Sequence, residues 1–201
     1  MRIGIFGGTF DPVHYGHLIV AEQAREQAAL DQMWFVPSAR PPHKPDQTIS
    51  PFDRRAEMLS LAVAGQEDRL CVETIERDRP GPSYTADTLD ELNQRHPNTD
   101  WFLLLGADSV KDLPTWHEPL RIVDRATILV AARRDHSLWN AADLAAQLGV
   151  DAKRVRLRPV EVPLIDIASR DLRRRAAESR SLLFQLPRAV EVYIREKKLY
   201  R

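Results

Sequence analysis

Two histidines, His14 and His17, stand three residues apart around Gly16 and close the stretch Gly7-Gly8-Thr9-Phe10-Asp11-Pro12-Val13-His14-Tyr15-Gly16-His17. An apolar strand, Arg2–Phe6, runs into the two glycines, which lack a Cβ and let the backbone turn and approach a ligand closely. A helix that begins near Tyr15 is expected to point free N–H groups and its positive dipole end back at the same place. Two imidazoles beside such an anion site can donate hydrogen bonds to phosphate oxygens as charge builds on them. The set reads as a nucleotide-phosphate cradle with chemistry built in. A single histidine there would be read as a helix cap or a packed core residue; the pair after a strand and a Gly-Gly turn favours function. Zinc is disfavoured, because no cysteine and no acidic residue completes an obvious ligand set. The segment is neither a Walker A loop nor Gly-x-Gly-x-x-Gly.

Three further segments carry polar groups at the ends of expected strands. Pro41-Pro42-His43-Lys44 is a stiff surface loop whose lysine can meet phosphates. Gly81-Pro82-Ser83-Tyr84-Thr85-Ala86-Asp87-Thr88 is a turn that feeds a helix, with Thr85 the expected N-cap; the N–H groups there could hold an amide or a carboxylate. Gly106-Ala107-Asp108 is followed by Trp116 in a polar, proline-containing loop (Asp112–Glu118), where an indole suits stacking on a planar ring.

The elements that must position these groups alternate. Strands are expected at Arg2–Phe6, Gln32–Val36, Leu70–Ile75, Trp101–Leu105, Thr127–Ala132 and Val155–Val160. Helices are expected at Leu18–Ala29, Phe52–Ala64, Thr85–His96, Ala141–Leu148, Ser169–Glu178 and Pro187–Lys197, with Ser38–Pro51 a proline-rich loop. Continuous apolar strands between helices predict an α/β fold, a doubly wound parallel sheet of Rossmann-like layout. Ligands of such sheets sit beyond the carboxyl ends of the strands, where strand order reverses. The chain reads as one domain over 1–201 with a small C-terminal helical extension from about 168.

The first motif resembles the signature of the nucleotidyltransferase superfamily that shares a His/Thr-x-Gly-His step, and the whole set resembles the bacterial nicotinate-nucleotide adenylyltransferase family from Met1 to about Arg175. The resemblance implies a Rossmann-like nucleotidyltransferase that joins ATP to nicotinate mononucleotide and releases pyrophosphate. It implies that His14 and His17 act on the ATP phosphates, with Gly7, Gly8, Thr9, Phe10, Gly16 and Lys44 nearby. Gly106 and Asp108 would meet the adenosine ribose. Tyr84, Thr85 and Trp116 would hold the nicotinate mononucleotide. Mg²⁺ would travel mainly on the phosphates, with no protein cage for the metal. The C-terminal motif departs from the family pattern Ile-Ser-Ser-Thr-x-Ile-Arg and reads Ile167-Ala168-Ser169-Arg170-Asp171-Leu172-Arg173. Ser169 and Arg173 keep their places as ATP contacts; Arg170 either adds charge to the phosphate site or points to solvent.

Composition narrows the partners. The 201 residues hold 29 Lys plus Arg against 29 Asp plus Glu, so no global field attracts nucleic acid or an anionic membrane. Cys71 is the only cysteine, which excludes an intrachain disulfide and fits a reducing cytoplasm. No apolar run reaches the roughly 20 residues of a membrane span, and the first residues enter a strand without the pattern of a secretion signal. The expected partners are two small molecules, ATP and the acceptor mononucleotide; a homo-oligomer stays open. The rival readings are another adenylyl- or cytidylyltransferase of the superfamily, with a pantetheine-phosphate or nicotinamide-mononucleotide acceptor, and a nucleotide sensor without turnover.

Overall fold

The computed structural model describes residues 1–42, 49–132 and 140–201. Six parallel strands form one sheet in the order β3-β2-β1-β4-β5-β6. They are β1 (Arg2–Gly8), β2 (Gln32–Pro37), β3 (Leu70–Val72), β4 (Asp100–Gly106), β5 (Ala126–Ala132) and β6 (Leu157–Glu161). Strand order reverses between β1 and β4, whose register runs from Arg2 against Asp100 to Ile5 against Leu103. The carboxyl ends of these two strands are therefore the expected ligand position in a doubly wound sheet.

Strand side chains alternate between two apolar layers. On one face Met33, Phe35, Phe102, Leu104 and Leu129 pack with α1 (Tyr15–Gln27), α2 (Phe52–Val63), α7 (Ser169–Ala177) and α8 (Arg188–Glu196). On the other, Ile3, Ile5, Val36, Leu103, Leu105, Ile128 and Val130 pack with α3 (Thr85–Arg95), α5 (Pro119–Arg125) and α6 (Ala141–Leu148). The helix spacing makes this work: α1 buries Ala21 and Ala24, and α2 buries Met58, Leu59 and Val63. Gly4 faces the first layer, where a Cβ would lie 2.6 Å from Met33 and 2.7 Å from Leu30. The C-terminal helices contribute Leu172, Val190 and Ile194 to the same layer as the strands.

Some boundaries differ from the sequence reading. The strand expected at Leu70–Ile75 ends at Val72. Its partner β2 closes on Pro37, which has no N–H to continue the ladder beyond the Glu73 N–H to Phe35 carbonyl bond of 2.9 Å. The strand expected from Val155 starts at Leu157, because Val155 caps a 3-10 turn over Ala152–Arg154. Helix α1 starts at Tyr15, three residues before the apolar stripe, and stops at Gln27. Two short helices, α4 (Ala107–Asp112) and α5, and a 3-10 turn at Leu113–Thr115 fill what reads as loop in sequence.

Candidate active site

The site begins where β1 ends. Gly8 sits over Phe10, and a Cβ there would come within 2.9 Å of the Phe10 ring. Phe10 itself has a positive φ of 49° and only 2% exposure. Its ring faces Phe35 at 5.6 Å and the edge of His17 at 5.0 Å. The Phe10 side chain belongs to the core, which leaves its backbone to face a nucleotide.

Helix α1 starts directly after His14. The His14 N–H donates to His17 Nδ1 at 3.2 Å, and the two imidazoles stack at 3.7 Å and 26°. Because Nδ1 of His17 accepts, the neutral ring carries its proton on Nε2, a donor free of that cap. Gly16 makes room for the stack: a Cβ there would lie 3.0 Å from both Cε1 and Nδ1 of His14. Burial pushes the His14 imidazole down to about 4, and burial with His14 as neighbour pushes His17 down to about 3. Both rings are neutral near pH 7 without ligand. His14 Nδ1 is buried against the start of α1, where it makes no full hydrogen bond. The expectation of free N–H groups at the start of α1 needs correction at three places. The Tyr15 N–H is taken by the Gln185 carbonyl at 3.1 Å, the His14 N–H by His17 Nδ1, and the His17 N–H by the His14 carbonyl at 3.0 Å.

The loop between β1 and α1 is tied to distant parts of the chain. Ser169 Oγ donates to the Pro12 carbonyl at 2.8 Å, and Arg173 donates to the Asp11 carbonyl at 2.7 Å. Both residues thus stand beside the histidine loop, Ser169 at the start of α7 and Arg173 one turn further on. Arg170 is exposed, Arg174 pairs with Asp171 at 3.1 Å, and Arg175 donates to the Ser181 carbonyl. Only Arg173 of the arginine run faces the loop.

A cavity of about 680 Å³ opens beyond the carboxyl ends of β1 and β4. Gly7, Gly8 and Thr9 form one wall; Tyr84, Thr85 and Trp116 stand on another. The fold brings the Gly7–Thr9 turn and the Tyr84, Thr85 and Trp116 segment around one space; His14, Gly16, His17, Ser169 and Arg173 lie outside its lining, on the α1 side of the same loop. Gly106 and Asp108 are exposed at the end of β4, where Gly106 is the N-cap of α4, and Ser109 lines the cavity. Thr85 is not the N-cap of α3. Tyr84 holds that position without a side-chain cap bond, and Thr85 is the first helical residue. Further along, the Thr88 hydroxyl ties the helix start to Glu76, lying 2.6 Å from Glu76 Oε1 and 3.2 Å from the Tyr84 carbonyl. Tyr84 stacks on His117 at 4.1 Å. Lys44 lies outside the described residues, as do His43 and the Arg133–Arg134 pair.

Sequence reasoning missed three groups. Arg55, 1% exposed, donates to the carbonyls of Ser50, Thr9 and Ser38 at 2.9, 2.8 and 2.8 Å, joining the loops that follow β1 and β2. A charged residue in register with the buried Met58 and Leu59 of α2 is the signal that pointed to it. Glu76, 5% exposed, lines the cavity and also accepts from the Ala39 N–H at 3.3 Å. Asp11, 2% exposed, accepts from the Ser50 N–H at 3.0 Å.

Among the described residues, Asp87, His117 and Glu118 could converge on a cation, but Arg121 already pairs with Asp87 and Glu118. No helix of the described residues is long and apolar enough to cross a membrane.

The cytidylyltransferase-like family model matches residues 5–175. A protein of Thermomicrobium roseum described as a "probable nicotinate-nucleotide adenylyltransferase" is 45% identical over 100% of this chain and 92% of its own length. A protein of Thermus thermophilus with the same description is 44% identical over the full length of both. The chain belongs to the nicotinate-nucleotide adenylyltransferase family. Membership makes it a nucleotidyltransferase. A Plasmodium falciparum nicotinic acid mononucleotide adenylyltransferase complexed with NaAD shares the fold, with a TM-score of 0.77 at 19% identity over 99% of this chain and 97% of that one.

Proposed function

We propose that this family member transfers the adenylyl group of ATP to nicotinate mononucleotide, giving nicotinate adenine dinucleotide and pyrophosphate. The observation that carries the reading is the single cavity shared by Gly7, Gly8 and Thr9 with Tyr84, Thr85 and Trp116. A triphosphate on the first wall and a pyridine mononucleotide on the second bring the reacting groups to the switch point of the sheet. A 5′-phosphate oxygen of the mononucleotide attacks the α-phosphorus of ATP. The bond from that phosphorus to the bridging oxygen breaks, and pyrophosphate leaves with the electron pair. No side chain need act as nucleophile.

The chain supplies position and charge stabilisation. His17, neutral with its proton on Nε2, donates to phosphate oxygen as negative charge develops. His14, stacked against it, is the second ring available to the phosphates. Arg173 and Ser169 hold the loop carbonyls that set both rings. Gly106 and Asp108, exposed at the end of β4, suit the adenosine ribose, and Lys44 suits the phosphates. The first turn of α3 offers backbone N–H groups to the nicotinate carboxylate, and Trp116 and Tyr84 offer ring surfaces to the pyridine. Mg²⁺ enters on ATP itself, held by phosphate oxygens; the Asp87, His117 and Glu118 group is already engaged by Arg121. The two helices beyond Ala168 share the core of the sheet, which supports a single catalytic domain.

The test is pyrophosphate release with ATP and either nicotinate or nicotinamide mononucleotide. Turnover at least tenfold faster with the acid is expected. Equal rates, or turnover only with pantetheine phosphate, would replace the acceptor. Binding without release would make the chain a sensor.

A further inference from the structure

The loop between β1 and α1 carries the histidines, yet its firmest anchor comes from the far end of the chain. Tyr200 Oη donates to Asp11 Oδ1 at 2.5 Å across 189 residues of sequence. The other carboxylate oxygen of Asp11 accepts the Ser50 N–H at 3.0 Å, so both oxygens of this buried group are engaged. Tyr200 reaches the position with a positive φ of 66°, rarely adopted by a residue with a side chain, and its ring packs against the core layer that contains Met58. Burial and the Asp11 carboxylate push the phenol well above its usual range, so it remains a donor at every pH at which the protein works.

We propose that Tyr200 is a positioning residue for adenylyl transfer: its hydroxyl latches Asp11 and so fixes the loop that delivers His14 and His17. The adjoining contacts show how the latch is transmitted. Asp11 lies between Phe10, whose ring meets the edge of His17, and Pro12, whose carbonyl takes Ser169. The Asp11 carbonyl takes Arg173. Arg55 grips the Ser50 carbonyl while Asp11 grips the Ser50 N–H, so the latch also joins the start of α2 to this loop. Without the phenol oxygen, Asp11 keeps one partner and is free to turn, and the histidine pair moves with it. A displacement of about 1 Å in a transfer site costs up to about a hundredfold in rate.

The activity arm rests on the adenylyl-transfer reading; an exchange arm stands without it. Tyr200→Phe keeps the packed ring and removes only the hydroxyl. We expect kcat to fall about tenfold, KM for ATP and for nicotinate mononucleotide to stay within about twofold, and the melting temperature to fall by no more than about 3 °C. Hydrogen exchange at the amides of His14, Tyr15 and Ser50, which donate the hydrogen bonds that hold this loop, is expected to quicken about tenfold, with β4 and β5 unchanged. In an Asp11→Ala background the Tyr200→Phe change is expected to add less than about twofold to either readout, since the acceptor is gone. Unchanged loop exchange in Tyr200→Phe overturns the proposal whatever the wild-type turnover. So does a full tenfold further effect in the Asp11→Ala background, or a loss confined to KM. If the wild-type chain turns over no nicotinate mononucleotide, the functional reading fails, and quickened loop exchange still upholds the latch.

Discussion

His17 caps the helix on which it rides: its Nδ1 takes the His14 N–H at 3.2 Å, and its ring lies 3.7 Å from the His14 ring. The cap fixes the tautomer, and burial keeps the ring uncharged. The geometry therefore offers phosphate a preset N–H donor in place of a mobile cation. Such a donor needs little reorganisation as charge develops, which is where electrostatic catalysis gains most.

His17→Ala removes the donor and one cap. Loss of one preset donor to a developing oxyanion lowers kcat by about 10² to 10³-fold, and loss of a cap destabilises a helix by about 1 kcal/mol. The expected outcome is a steep fall in pyrophosphate release with a melting temperature lower by only a few degrees. Unchanged turnover would remove His17 from the reaction.

The same burial makes stability depend on pH in one direction. Both imidazoles titrate at about 4 and about 3 in the folded chain, below their ordinary value of 6.5. Between these values the unfolded chain binds more protons than the folded one, so stability rises with pH through this window. The contribution is complete above pH 6.5 and is lost as pH falls toward 4 and then 3. Melting temperatures from pH 8 to pH 4 should fall more steeply for the wild type than for a His14→Gln, His17→Gln double variant. Parallel curves would show that other groups carry the acid sensitivity.

The sheet was legible in the sequence because its strands are uninterrupted apolar runs and its helices carry buried stripes. The glycine–histidine motif stood out because Gly7, Gly8, Gly16 and the two histidines lie in one short stretch of sequence. Longer-range links leave no such trace. Asp11 meets Tyr200 across 189 residues and Arg173 across 162, and neither pairing has a local period. The burial of Phe10 leaves no local trace either, since a positive φ turns its ring into the core. Thr85 was misread because Thr is a good N-cap in general; here the preceding Tyr84 takes the extended cap conformation, and its ring finds His117. Arg55 needed tertiary structure for a different reason: three carbonyls from two loops, Thr9 after β1 and Ser38 and Ser50 after β2, converge on it.

Gly16 separates activity from stability. It lies in the first turn of α1, where alanine is the better helix former by about 1 kcal/mol. A Cβ there meets the His14 ring at 3.0 Å on two atoms, with the Ile165 side chain 3.5 Å away, so the ring has to move by a few tenths of an ångström. His14 is 6% exposed and packed against His17, so the shift passes to the stacked pair. Gly16→Ala is therefore expected to melt within about 2 °C of the wild type, or above it, while kcat falls at least tenfold; the two readouts move apart because helix propensity and ring placement act on different states. A variant that keeps full turnover would mean that the stack tolerates the methyl group and that the glycine serves only the helix start. A variant that loses stability in step with activity would mean that the His14 ring is held too rigidly to yield.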